Sequence, residues 1–149
     1  MSDTTLKPSK DIEGLVNYLL PIAQKSLTQY GEFYPYAGCL TPDGEILQLG
    51  AQLKDVERPK SQPLIDLLYK HIRSEVEAQH CKASAIIFDV SIIPPGATEK
   101  SDAIQVCLDH RDGYSAEVFF PYQLQDGQLI QGKPFSQEGA YPFFPKAEL

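Results

Sequence analysis

The chain has 149 residues, 13 Lys and Arg against 20 Asp and Glu, a formal charge of −7, and an apolar fraction of 42%. That is enough apolar material for a single domain over residues 1–149 without disulfide or metal staples, so wholesale disorder is excluded. The acidic balance argues against nucleic acid and anionic membrane as main partners, since both demand clustered Lys and Arg.

Residues 1–8 read as a flexible arm. Beyond it Ile12, Leu15, Val16, Leu19, Ile22, Ala23 and Leu27 recur at spacings of three and four, one apolar helix stripe. Ser9 is placed to cap this helix and Gly31 to end it. Pro21 lacks a backbone donor and crowds the carbonyl of Asn17, which predicts a kink or a break. From Phe33 to Leu53 the pattern changes to strand, turn, strand, with Thr41-Pro42-Asp43-Gly44 as the turn and Leu47, Leu49, Ala51 and Leu53 alternating after it. Pro35 places the first strand at an edge or beside a bulge. A charged loop, Lys54 to Lys60, leads to a second helix capped by Ser61, with Pro63 in its first turn and Leu64, Leu67, Leu68, Ile72 and Val76 on its buried face.

Three strands follow, Ala83 to Ile93, Ala103 to Asp109 and Tyr114 to Tyr122, the last two joined by a tight hairpin at His110-Arg111-Asp112-Gly113. Ile86, Phe88, Val90 and Ile92 share one face of the first and Ile87 lies on the other, as in a central strand covered on both sides. Residues 123–149 lack periodicity but carry Tyr141, Phe143 and Phe144, so they read as an irregular aromatic tail packed on the body. The whole is α+β: an antiparallel sheet of about five strands, in the order helix, strand, strand, helix, three strands, with helices packed on it. This order resembles that of profilin-like and roadblock-like domains.

Cys39, Cys81 and Cys107 are odd in number and include no C-x-x-C pair, which fits a reducing, cytoplasmic compartment. Met1 to Lys10 is polar, and Asn17 and Pro21 interrupt the apolar stretch beyond it, so neither signal peptide nor membrane span is expected. There is no G-x-G-x-x-G or G-x-x-x-x-G-K-[ST] loop, no G-x-S-x-G elbow and no H-E-x-x-H helix, which removes the nucleotide, hydrolase and metalloprotease templates that use them.

Four polar or aromatic clusters remain. Ser101, Asp102 and His110 supply the residue types of a nucleophile, orienter and base, but a strand separates them by roughly 23 Å at 3.3 Å per residue. The charges at Asp109, His110, Arg111 and Asp112 therefore read as a solvated hairpin. His71 and His80 stand two and a half helical turns apart, about 13 Å, too far for one metal ion, and Cys81 is a nucleophile only if a base approaches it. His71 falls at the edge of the buried stripe. Asp89 interrupts an apolar strand and must be paired or face water. Asp109, Cys107 or Gln105 across from it, with Glu117 and Arg111 beyond, would make a polar or ligand-facing sheet surface. Lastly, Tyr34, Tyr36, Phe143 and Phe144 have the composition of a binding groove or self-association surface.

The segments Tyr30-Gly31-Glu32-Phe33-Tyr34-Pro35-Tyr36 with Asp43-Gly44-Glu45, and Lys100-Ser101-Asp102-Ala103-Ile104 with Asp109-His110-Arg111-Asp112-Gly113-Tyr114, resemble a set of small bacterial proteins of uncharacterised function. The resemblance covers about half the chain and implies no activity, ligand or partner. No catalytic residue, metal or cofactor is assigned. The expected function is a non-enzymatic cytoplasmic interaction or regulatory module, an adaptor or an immunity-type protein, whose partner is a basic protein or a second copy in a homodimer. The rival expectation is a small-molecule sensor or enzyme with a polar pocket on the sheet, built on Asp89, Asp109, His110 or Glu117.

Overall fold

In the computed structural model, residues 6–50 and 60–147 are described, with the side chains of 6–9 left aside. The elements are α1 (Leu6–Tyr30), β1 (Tyr36–Leu40), β2 (Ile46–Leu49), α2 (Ser61–Glu77), β3 (Ala83–Ile92), β4 (Ser101–His110), β5 (Tyr114–Gln125), β6 (Gln128–Gln131) and β7 (Phe135–Glu138). The strands form one antiparallel sheet in the order β2-β1-β3-β4-β5-β6, with β7 also on β5. The fold is α+β as expected, with seven strands instead of about five.

The two additional strands correct the reading of residues 123–149 as irregular. β5 continues to Gln125, and its outer edge takes β6 along Tyr122–Gln125 and β7 along Ala116–Phe119. Gln128-Leu129-Ile130-Gln131 and Phe135-Ser136-Gln137-Glu138 show no alternation that would announce them. They are strands because an edge with unpaired backbone donors and acceptors accepts whatever backbone the tight turn at Asp126-Gly127 delivers.

The turns stand where local chemistry places them. Gly44, at φ +93°, donates its N–H to Thr41 O at 2.9 Å, and Gly31, at φ +75°, ends α1 by donating to Leu27 O at 2.9 Å. α1 begins earlier than expected: residues 6–8 belong to it and Ser9 lies inside it instead of capping it, while residues 1–5 of the expected arm lie outside the described residues. α2 starts at Ser61, so Lys60 stands at the cap position with no side-chain bond. Its buried residues are Leu64, Ile65, Leu68 and Ile72; Leu67 is only half-buried and His71 is exposed. Positions 51–59, which hold the alternating Ala51 and Leu53 and most of the charged loop, lie outside the described residues.

Pro21 neither breaks α1 nor ends it, and it lies, with Asn17, on the exposed side of the helix, where the carbonyl it leaves unpaired faces solvent instead of the core. Beside it the helix is spliced from without. The Tyr36 hydroxyl donates to Leu19 O and accepts from Ala23 N at 3.0 Å, bridging the two ends of one i→i−4 rung. Burial raises the Tyr36 hydroxyl pKa, so the group stays a protonated donor.

Two layers cover the sheet. On one face Leu15, Leu19, Ala23 and Leu27 of α1 pack on Tyr36, Ala85, Ile87, Ile104, Val106 and Leu108. Gly38 sits under this helix, where a Cβ would lie 2.6 Å from a Leu19 methyl. On the other face Leu68 and Ile72 of α2 pack on Ala37, Cys39 and Ile86. α2 covers mainly β1 and β3, and the C-terminal segment folds across β4 and β5 beside it.

Candidate functional site

The register sorts the nine residues singled out by sequence into four places. Asp89 pairs with Ile104 across β3 and β4, so odd-numbered positions of β3 share a face with even-numbered positions of β4. Gln105, Cys107 and Asp109 therefore lie on the face opposite Asp89, together with Glu117, whose register partner is Cys107. This corrects the expected polar surface built from Asp89, Asp109 and Glu117. Asp89 stays exposed on the α1 side and accepts a 2.7 Å hydrogen bond from the Tyr122 hydroxyl. Although the residue is exposed overall, its carboxyl is partly desolvated, which raises the Asp89 pKa, with the Tyr122 bond working against it. The pairing is a phenol–carboxylate contact that gives a buried tyrosine its partner.

Tyr34 and Tyr36 line one groove of about 400 Å³ between the C-terminal end of α1 and β1. Ile22, Ser26, Tyr30, Glu32, Phe33 and Gln48 complete it, and no Lys or Arg stands among its lining residues. Tyr36 is buried, edge-on to Phe33 at 6.0 Å, and with its hydroxyl committed to α1 it presents only its ring. Tyr30 and Tyr34 are 75% and 47% exposed, so they form the rim. The expectation that Phe143 and Phe144 join them is corrected: those residues lie on the α2 side, where Phe143 packs against Tyr69 with ring centroids 5.4 Å apart.

Asp109 and Glu117 do come together with Phe143 and Phe144, which belong to a strap of residues 139–147 lying over them. Asp109 is buried at 2% exposure instead of solvated, and its Oδ2 accepts the Phe143 and Phe144 amides at 3.0 and 3.1 Å. Ser115 Oγ accepts the Tyr141 amide at 3.1 Å, and Ser115 O accepts the Gly139 amide at 3.0 Å. A Cβ at Gly139 would lie 2.9 Å from the Ala116 nitrogen, so the close approach of strap and β5 requires glycine there. Arg73 donates to Pro142 O at 3.3 Å and stands 5.9 Å from the Phe143 ring centroid. Burial outweighs the Phe143 amide, the nearby Ser115 hydroxyl and the Phe144 amide, and pushes the Asp109 carboxyl up to about 6. The strap could not be foreseen, because Ser115, Tyr69 and Arg73 carry no signal of contact with residues so far along the chain.

His110 and Arg111 belong to the fourth place. The His110 ring is 2% exposed, which corrects its reading as a solvated turn residue. Its Nδ1 accepts the Asp112 amide at 3.0 Å, which leaves the ring proton on Nε2, 2.7 Å from Asp11 Oδ2. Lys82 Nζ stands 3.6 Å from the same oxygen. Both ring nitrogens are thus engaged, Nε2 in pinning the start of α1 and Nδ1 within the β4–β5 hairpin, which leaves no free nitrogen for base catalysis. Ser101 lies at the far end of β4 from His110, as the spacing requires.

Cys81 is core material: it is 4% exposed and its thiol donates to Ala83 O at 3.1 Å. Hydrogen bonding between the two thiols lowers the pKa of Cys81 and, with burial, raises that of Cys39, but both are buried, so neither is an accessible thiol. His80 bonds Glu75 through Nδ1 at 3.0 Å. Among the described residues no three His, Cys, Asp or Glu side chains are grouped to hold a metal ion, and no helix is long and apolar enough to cross a membrane.

Comparison of the chain with protein-family models, with curated proteins and with solved structures finds no match.

Proposed function

We propose that this protein is a non-enzymatic binding module that takes a cationic segment of another protein into the aromatic groove beside α1. The observation that carries the reading is the pair of exposed rings, Tyr30 and Tyr34, around an apolar floor with Glu32 at the rim. Aromatic faces and a carboxylate together favour a Lys or Arg side chain flanked by apolar residues. The formal charge of −7 steers such a partner and opposes a second copy of this acidic chain. An adaptor or immunity-type role against a basic protein follows from this chemistry. A cytoplasmic setting is supported by the free Cys39, Cys81 and Cys107.

The test is fluorescence anisotropy with labelled octapeptides in which Leu and Pro alternate with Arg, with Gln or with Glu. Only the Arg peptide is expected to bind, and Tyr34→Ala is expected to weaken it about 5- to 30-fold, the cost of one exposed aromatic anchor. Raising salt from about 50 to 300 mM should weaken it further. Equal binding of the three peptides, or no effect of Tyr34→Ala, would overturn the reading. So would a homodimer in sedimentation equilibrium that Tyr34→Ala dissociates.

A further inference from the structure

A second opening, separate from the aromatic groove, lies on the sheet between the β3–β4 and β6–β7 connections. We propose that this cavity, of about 530 Å³, binds a small aromatic carboxylic acid. Its floor includes Pro121 of β5, which pairs with Ala103 and therefore lies on the face of Gln105, Cys107 and Asp109. Among the described residues neither α2 nor the strap contributes to the lining, so this end of the face is left open. One wall is the β3–β4 connection, residues 94–100, closed as a turn by the Ala97 amide donating to Pro94 O at 3.0 Å. The other is the β6–β7 connection, where the Gly132 amide donates to Pro121 O at 2.8 Å. Phe135, next along that wall, is stacked on Phe119 with ring centroids 4.9 Å apart. Both walls are thus tied down before a ligand arrives, which spares the cost of ordering them, and the volume lies in the range of small-molecule sites.

Charge selects the ligand. In the whole chain Asp and Glu outnumber Lys and Arg by 20 to 13, but here Lys100 on one wall and Lys133 on the other stand against Glu99 alone. Among the described residues neither lysine has a carboxylate within 4.0 Å. Both are exposed, and a four-carbon stem lets each ammonium swing over the opening to meet an anion. Gln123 lines the floor with its carbonyl oxygen accepting the Gln125 amide at 3.1 Å, so its NH2 group is what it offers a ligand. The rest of the lining is mainly apolar, with the Phe135 ring and four prolines, whose nitrogens carry no hydrogen to donate. A flat ring fits against such walls, and a carboxylate is the end that two lysines take up. An inorganic anion would leave the apolar walls wet, and a cation would meet the lysines as like charges.

The experiment follows backbone amides by NMR in the full-length labelled protein titrated with indole-3-acetate, with indole-3-acetamide, tryptamine and inorganic phosphate as controls at equal ionic strength. Indole-3-acetate should bind saturably, with Kd of about 1 mM or below, and shift the amides of Lys100, Ser101, Gln123, Gly132 and Lys133. The acetamide, which keeps the ring and loses the charge, and phosphate, which keeps charge and loses the ring, should each bind about 3- to 30-fold more weakly. Tryptamine should leave these amides unmoved. Replacing both lysines, Lys100→Gln with Lys133→Gln, should weaken indole-3-acetate about 3- to 30-fold while amides elsewhere keep their positions, because both side chains are exposed. Tyr34→Ala, in the aromatic groove, should leave this binding unchanged, so the two sites stand or fall separately. Titration that does not saturate by about 10 mM would overturn the proposal. So would acetamide or phosphate binding as tightly as the acid, full affinity in the double lysine variant, or shifts confined to Tyr30 and Tyr34.

Discussion

Replacing Asp109 by Asn removes one negative charge from under the strap and leaves a carbonyl to accept the Phe143 and Phe144 amides. In the folded protein the Asp109 carboxyl titrates near 6, against 3.8 for an ordinary aspartate. Between those values the folded chain holds a proton that the unfolded chain has released. The stability this group contributes is therefore complete below about pH 4 and is lost as pH rises through 6. At about 1.36 kcal/mol per pH unit the full loss is on the order of 3 kcal/mol, and relaxation of the strap brings the expected effect to about 1–3 kcal/mol. Urea unfolding of wild type and Asp109→Asn in acetate and phosphate buffers from pH 4 to 8 isolates it, because other carboxylates cancel in the difference. The advantage of wild type over Asn should shrink by about 1–3 kcal/mol from pH 4 to 7 and then stay level. A flat difference, or one that grows with pH, would refute the account of Asp109 as a carboxylate disfavoured by burial.

Three further outcomes follow from the packing. Tyr36→Phe removes the hydroxyl between Leu19 O and Ala23 N and should cost about 1–3 kcal/mol in chemical denaturation, with an unchanged m-value. Gly38→Ala drives a methyl against a fully buried Leu19 and should cost about 1–3 kcal/mol, lowering Tm by several degrees in calorimetry. Phe143→Ala removes the contact with Tyr69 and should speed amide exchange at Tyr141, Phe143 and Phe144 about 5- to 30-fold while core strands keep their protection.

Features decided by neighbours in the chain were legible in it. The stripe from Ile12 to Leu27, the glycine stop at Gly31, the Thr41–Gly44 turn and the hairpin at Gly113 each depend on a handful of consecutive residues. So did the α+β class and the separation of Ser101 from His110, which needs only the rise of one strand. The charge of −7 and the tyrosine-rich segment before β1 were read directly, and two tyrosines of that segment now rim the groove.

What only the tertiary structure decided is which distant residues meet, because strand register changes the face of every side chain with a shift of one residue. Register put Asp109 and Glu117 on one face and Asp89 on the other. Burial, a property of the assembled layers, made His110 a pin for Asp11 and Asp109 an anchor for Phe143 and Phe144, where local turn chemistry predicted two solvated charges. Two short strands without a sequence pattern formed because β5 offered an edge, and their course carried the strap over Asp109. Composition and local spacing thus determined the class of fold and the sign of its charge, while the long-range pairing of backbones determined where that charge is buried.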